Sequence, residues 1–113
     1  MSEPVLRLAD WTHHPAGRFR SDGPYSGEQW RDDFLIPAME RVESAGGSTL
    51  QLDLSGIRGA GSSFLEEVFG GLVRTRPQLD AVVRLEFVNR EHTEDVGDYR
   101  NDAIMRRLQG EEL

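Results

Sequence analysis

The spacing of apolar residues changes several times along the chain, and each change marks an element. Val5 to Trp11 has the composition of a first strand. Residues 12–16 hold His13, His14 and Pro15 and read as a turn. Gly17 to Ser21 predicts a short second strand that closes a hairpin with the first, and Asp22-Gly23-Pro24 is a turn signal. From Ser26 the period lengthens. Trp30, Phe34, Ala38, Val42 and Ala45 recur at helical spacing, with Leu35 and Met39 beside them. Ser26 and Gln29 have the spacing of a capping box. Pro37 removes a bond to the carbonyl of Asp33, which predicts a kink or two shorter helices. Gly46-Gly47 ends the segment.

Thr49 to Ser55 alternates strictly. Leu50, Leu52 and Leu54 share one face; Gln51, Asp53 and Ser55 share the other. A helix follows from Ser63 to about Arg76, stopped by Pro77. Val82 to Val88 is the next strand, with Val83, Leu85 and Phe87 on one face and Arg84 and Glu86 opposite. His92 to about Leu108 reads as a last helix, weakened by Gly97. Strand, helix, strand over residues 49–88 implies a parallel pair joined by a right-handed crossover. A doubly wound sheet is buried on both faces and its strands are continuously apolar, whereas these strands keep one polar face. The expectation is therefore a single α/β domain spanning residues 1–113. It should have two layers: a mixed sheet of about four strands with helices packed on one face.

The densest chemistry lies in Gly59 to Leu72, GAGSSFLEEVFGGL. Ser63 has Glu66 three residues on and reads as the helix N-cap, worth about 1 kcal/mol. Ser62 then lies just outside as an exposable loop hydroxyl. Phe64, Leu65, Val68, Phe69, Leu72 and Val73 form the apolar stripe, with Glu66, Glu67, Gly70, Gly71 and Arg74 opposite. Two interior glycines cost about 2 kcal/mol relative to alanine, and the stripe gains nothing from them. They predict a bare strip of backbone, bordered by acids, that a partner could approach.

Charge narrows the partners. The net charge is −7, which argues against nucleic acid and anionic membrane surfaces. Arg100, Arg106 and Arg107 make at most a small basic patch, and a cationic helix end complementing its dipole explains them. No stretch approaches the ~20 apolar residues of a membrane span, and the N-terminus lacks the apolar core of a secretory signal. There are no cysteines, which fits a cytoplasmic setting.

Enzymatic readings find little support. His13-His14 with Asp10 nearby lacks a second ligand cluster, so no metal or other cofactor is expected. A triad of Ser62, His92 and Asp53 can be assembled on paper, but no Gly-x-Ser-x-Gly elbow carries the serine. Asp32-Asp33 and Glu66-Glu67 diverge by about 100° on their helices and suit solvated faces. GRFRSDGPYSG, residues 17–27, is glycine-rich but has no Walker lysine; a hairpin turn, or a rim beside the Ser63 helix, accounts for it. No catalytic residue is assigned.

LDLSGIRGAGSSFLEEVFGGL, residues 52–72, resembles the signature of STAS domains, the module of bacterial anti-sigma-factor antagonists and of sulfate-transporter tails. The wording is closer to a STAS-like family of unknown function. Its members carry phrases similar to GRFRSDGPYSGEQWRDDFLIPAMERV before the strand and GSSFLEEVFGGLVR after it, a likeness over about residues 17–88. The resemblance implies a non-enzymatic regulatory domain. It would bind a protein through Gly59, Gly61, Ser62 and Ser63 and the strip Glu66, Glu67, Gly70 and Gly71. Ser62 matches the serine that a partner kinase phosphorylates in the antagonists. Gly61 stands where they carry aspartate, and Phe64 where they carry glycine. By the same analogy the partner is a GHKL-type serine kinase/ATPase or an anti-sigma-like factor. Two alternatives stand beside it: a small-molecule or nucleotide-sensing module, and an accessory subunit of a larger bacterial complex.

Overall fold

The computed structural model describes residues 5–111. Three short strands form one sheet: β1 (Leu6–Arg7), β2 (Thr49–Asp53) and β3 (Arg84–Phe87). Their order is β1-β2-β3 and every pairing is parallel. Leu50 lies opposite Leu85 and Leu52 opposite Phe87, so the leucine face of β2 continues across β3. The other face carries Gln51, Arg84 and Glu86 and stays open.

The mixed, four-stranded sheet is corrected to three parallel strands among the described residues. The predicted strand at 17–21 does not form. Asp22 Oδ2 accepts from the backbone amides of Arg18 and Phe19, which takes the donors a ladder would need. The chain instead makes a 3₁₀ turn at Arg20–Asp22. The first strand is also shorter than Val5–Trp11. A 3₁₀ turn at Leu8–Asp10 ends it, with the amides of Trp11 and Thr12 both donating to the Leu8 carbonyl.

Helix α1 covers residues 27–44 without interruption: Gly27–Trp30 is α-helical, Arg31–Leu35 forms a π turn, and Ile36–Ser44 is α-helical again. The π turn resolves the proline problem. Pro37 lacks an N–H and its ring crowds the carbonyl four residues back; a widened turn just before it relieves both faults without dividing the helix. Ser26 caps this helix as expected, accepting from the Gln29 amide at 3.2 Å. Helix α2 covers residues 62–75, again with an internal π turn, at Glu66–Gly70. Pro77 begins a short helix α3 (Pro77–Val82), where its missing N–H costs nothing. Helix α4 (Thr93–Glu111) closes the chain and packs chiefly on α2.

The core lies between the leucine face of the sheet and the helices. α1 contributes Trp30, Leu35, Met39 and Val42; α2 contributes Phe64, Leu65, Val68, Phe69 and Leu72. Phe69 meets Phe87 of β3 with ring centroids 6.2 Å apart. Arg100 fixes α4 to α3 through Asp80 at 2.6 Å, and Arg106 pairs with Asp102 on its own helix.

Candidate functional site

The carboxyl end of β2 is fixed by one side chain. Asp53 Oδ1 accepts from the Ser55 amide (2.8 Å), the Ser55 hydroxyl (2.6 Å) and Asn89 Nδ2 (2.6 Å). Arg7 of β1 lies 3.5 Å from its other oxygen. The Ser55 hydroxyl foremost, with the Ser55 amide, Asn89 and Arg7, holds the Asp53 carboxyl below its ordinary range against partial burial. The exits of all three strands are thereby tied to one carboxylate.

From there the chain enters the loop to α2. His13 Nδ1 lies 3.1 Å from the Gly56 carbonyl, and the Arg58 amide donates to the His13 carbonyl at 2.7 Å. These bonds hold the base of the loop. Gly56 and Gly59 take φ of +80° and +69°, the left-handed region that suits glycine. Beyond the base, Arg58, Gly59, Gly61, Ser62 and Ser63 are all exposed.

The cap of α2 differs from the expected pair of Ser63 and Glu66. Gly61 is the N-cap, Ser62 is the first helical residue, and no side chain caps the helix. The reason is that Glu66 is engaged elsewhere. Its carboxylate accepts from Arg74 at 2.6 Å and from Arg18 at 2.5 Å, and charge-assisted bonds of this kind outweigh a return to one backbone amide. The Arg74 guanidinium, with Arg18 beside it, holds the Glu66 carboxyl below its ordinary range although burial opposes this.

The largest correction concerns the strip Glu66, Glu67, Gly70 and Gly71. It is not bare. Gly70 and Gly71 are buried, Glu67 is 8% exposed, and only Glu66 keeps partial exposure. The π turn and two side chains from the amino-terminal part of the chain explain the burial. Arg31, 5% exposed, reaches from the π turn of α1 and donates to the Glu67 carboxylate and to the Glu67 carbonyl. Its Nη1 lies where a side chain on Gly71 would begin, and the Glu66 carboxylate lies where one on Gly70 would begin. Arg18 adds contacts to both glutamates, so the segment 17–22 does border α2. The glycines make room for the protein's own ion pairs.

Arg18 and Arg31 were not singled out by the sequence. The available signal was the glycine pair itself, four residues after two glutamates: room on a helix beside buried acids calls for a long cation.

The remaining candidates do not assemble. No hydrogen bond joins Ser62, His92 and Asp53, and Asp53 is already occupied by Ser55, Asn89 and Arg7. His92 takes φ of +66° ahead of α4. Among the described residues no group of three or more histidine, aspartate or glutamate side chains is placed to hold a metal ion. No described helix is long and apolar enough to cross a membrane.

The geometry is that of a small parallel α/β module. Its helices cover one face, and a glycine-bearing loop leaves the carboxyl edge of the central strand to enter a helix. The chain belongs to the family described as a STAS-like domain of unknown function, whose model matches residues 26–94, more than half of its length. No curated protein and no solved structure matches it.

Proposed function

We propose that the protein is a non-enzymatic regulatory domain that binds a protein partner through the loop 58–63 and the first turn of α2, with Ser62 as a phosphorylation switch. The observation that supports this is the loop's construction. Its base is held by Asp53 and His13, while Arg58, Gly59, Gly61, Ser62 and Ser63 all face solvent. Backbone so exposed, yet anchored at its base, can meet a partner with little ordering cost. Glu67, Gly70 and Gly71 leave the proposed surface because they are buried, and Glu66 stays at its margin. By analogy with the antagonists the partner is a GHKL-type serine kinase/ATPase or an anti-sigma-like factor. A phosphoryl group on Ser62 adds nearly two negative charges at the first position of α2. The free amides of that turn accommodate the charge; a partner matched to a neutral hydroxyl does not.

A photoreactive amino acid at position 58 tests the surface against one at the exposed Gln78 on α3. The expected result is a protein adduct from position 58 alone, lost in Ser62→Glu and kept in Ser62→Ala. Equal adducts from both positions, or a Ser62→Glu protein that crosslinks normally, would refute the reading. Intact mass after exposure to the captured kinase and ATP reads the modification directly.

A further inference from the structure

A second site lies toward the amino ends of β1 and β2, on the helix-covered face and at the β1 edge of the sheet. Val5 and Leu6 of the edge, Leu50 of β2, and Ala38, Val42 and Ala45 of α1 line an apolar cavity of about 370 Å³ that opens to solvent. The volume follows from side-chain size. On α1 the large side chains Trp30, Leu35 and Met39 are fully buried, whereas the wall facing the cavity carries the smaller Ala38, Val42 and Ala45. The cavity has room for about a dozen water-sized groups.

One charged side chain stands at the cavity. Arg41 lies on the same helix face, between Ala38 and Ala45, and it lines the cavity wall. It is exposed and enters no ion pair among the described residues, whereas Glu40 beside it is taken by Arg76 at 3.1 Å. Its guanidinium is thus available to an anion bound in the trough. An aliphatic trough with a guanidinium at its rim is complementary to a chain of methylenes ending in a single anionic group. Addition of a peptide strand to the same edge is the weaker fit, because β1 has two residues and offers few main-chain bonds.

We infer that this cavity binds an aliphatic monocarboxylate of medium chain length, with its tail between β1 and α1 and its carboxylate on Arg41. The site is separate from the loop 58–63 and does not rest on the proposed partner binding.

The test uses the full chain and sodium decanoate, below its aggregation concentration, with decanol and decylamine as controls. Calorimetric titration should show saturable binding of decanoate, with decanol weaker and decylamine weakest. Arg41→Gln should weaken decanoate about tenfold and leave decanol unchanged. Ala38→Leu fills the trough and should abolish binding of every tail while the protein stays folded. If that variant does not fold, Ala45→Leu, at the exposed end of the cavity, takes its place. Absence of saturable decanoate binding to the wild type would overturn the inference. So would undiminished binding in the filled variant. Equal binding of decylamine and decanoate would overturn the assignment of the carboxylate to Arg41.

Discussion

Replacement of Gly27 by alanine separates helix propensity from helix packing, because the two give opposite signs. Gly27 is the first residue of α1, behind the Ser26 cap. On propensity alone alanine stabilises a helical position by up to about 1 kcal/mol. The added Cβ, however, would lie 2.6 Å from the backbone oxygen of Phe64 in α2 and 3.1 Å from Glu67 Cβ. A carbonyl inside a helix cannot rotate away as a side chain can, so α1 must shift by several tenths of an ångström against α2. Overpacking of this kind costs about 1–3 kcal/mol. Net destabilisation by about 1–2 kcal/mol follows. Gly97, inside α4, has no atom within 4 Å of the same construction and supplies the control. Gly97→Ala should gain up to about 1 kcal/mol. Urea unfolding followed by circular dichroism reads both, and each kcal/mol corresponds to about 4 °C in Tm for a domain of this size. A Gly27→Ala protein as stable as the wild type would refute the close helix contact.

Three further outcomes concern other contacts of the fold. Glu67→Ala leaves the Arg31 guanidinium buried beside Asp32 alone among carboxylates and should cost about 3 kcal/mol, with the double variant Arg31→Met, Glu67→Leu recovering most of it in the same urea assay. Ser26→Ala removes a fully buried cap and should cost about 1 kcal/mol, measured by thermal unfolding. The folded-state pKa values of Glu66 and Asp53 lie below their ordinary values of 4.5 and 3.8. Their stabilisation is therefore complete above those values and lost as pH falls through the depressed ones. Urea midpoints should accordingly fall on acidification below about pH 4.5, and less steeply in Glu66→Gln.

Much of the helical layer was legible in the sequence because its signals are local. The 3.6-residue spacing from Trp30 to Val42, the Ser26 cap and the alternation of Leu50, Leu52 and Leu54 are each decided by neighbouring residues. The errors arose where a distant side chain intervened. The strand at 17–21 fails because Asp22 captures the amides of Arg18 and Phe19, a choice that composition does not reveal. The Ser63–Glu66 capping box fails because Arg18, 48 positions away, and Arg74 hold the glutamate. The bare strip fails because Arg31 crosses from another helix to cover Gly71. A helical wheel reports which residues share a face and says nothing about whether another part of the chain supplies the cover.

Those corrections move the weight of the candidate site onto Gly61. It occupies the N-cap of α2 with φ −74° and ψ 168°, extended backbone that any residue adopts, and no atom lies within 4 Å of a Cβ built there. Glycine is therefore not required by the fold at the position where the antagonists carry aspartate. An aspartate would supply the missing side-chain cap, worth a few tenths of a kcal/mol over glycine, and its charge would favour the positive end of α2 by about 0.3–1 kcal/mol. Gly61→Asp should accordingly raise the unfolding free energy by about 0.5–1 kcal/mol, read from the urea midpoint at neutral pH, with the gain disappearing as the carboxylate is protonated. Destabilisation instead would mean that the loop closes on a group that repels the charge, Glu66 and Glu67 being the nearest acids by sequence. On the proposed switch, faster transfer of phosphate to Ser62 in this variant than in the wild type would mean that the acid at this position acts in the transfer itself. An unchanged rate would confine its role to the helix cap.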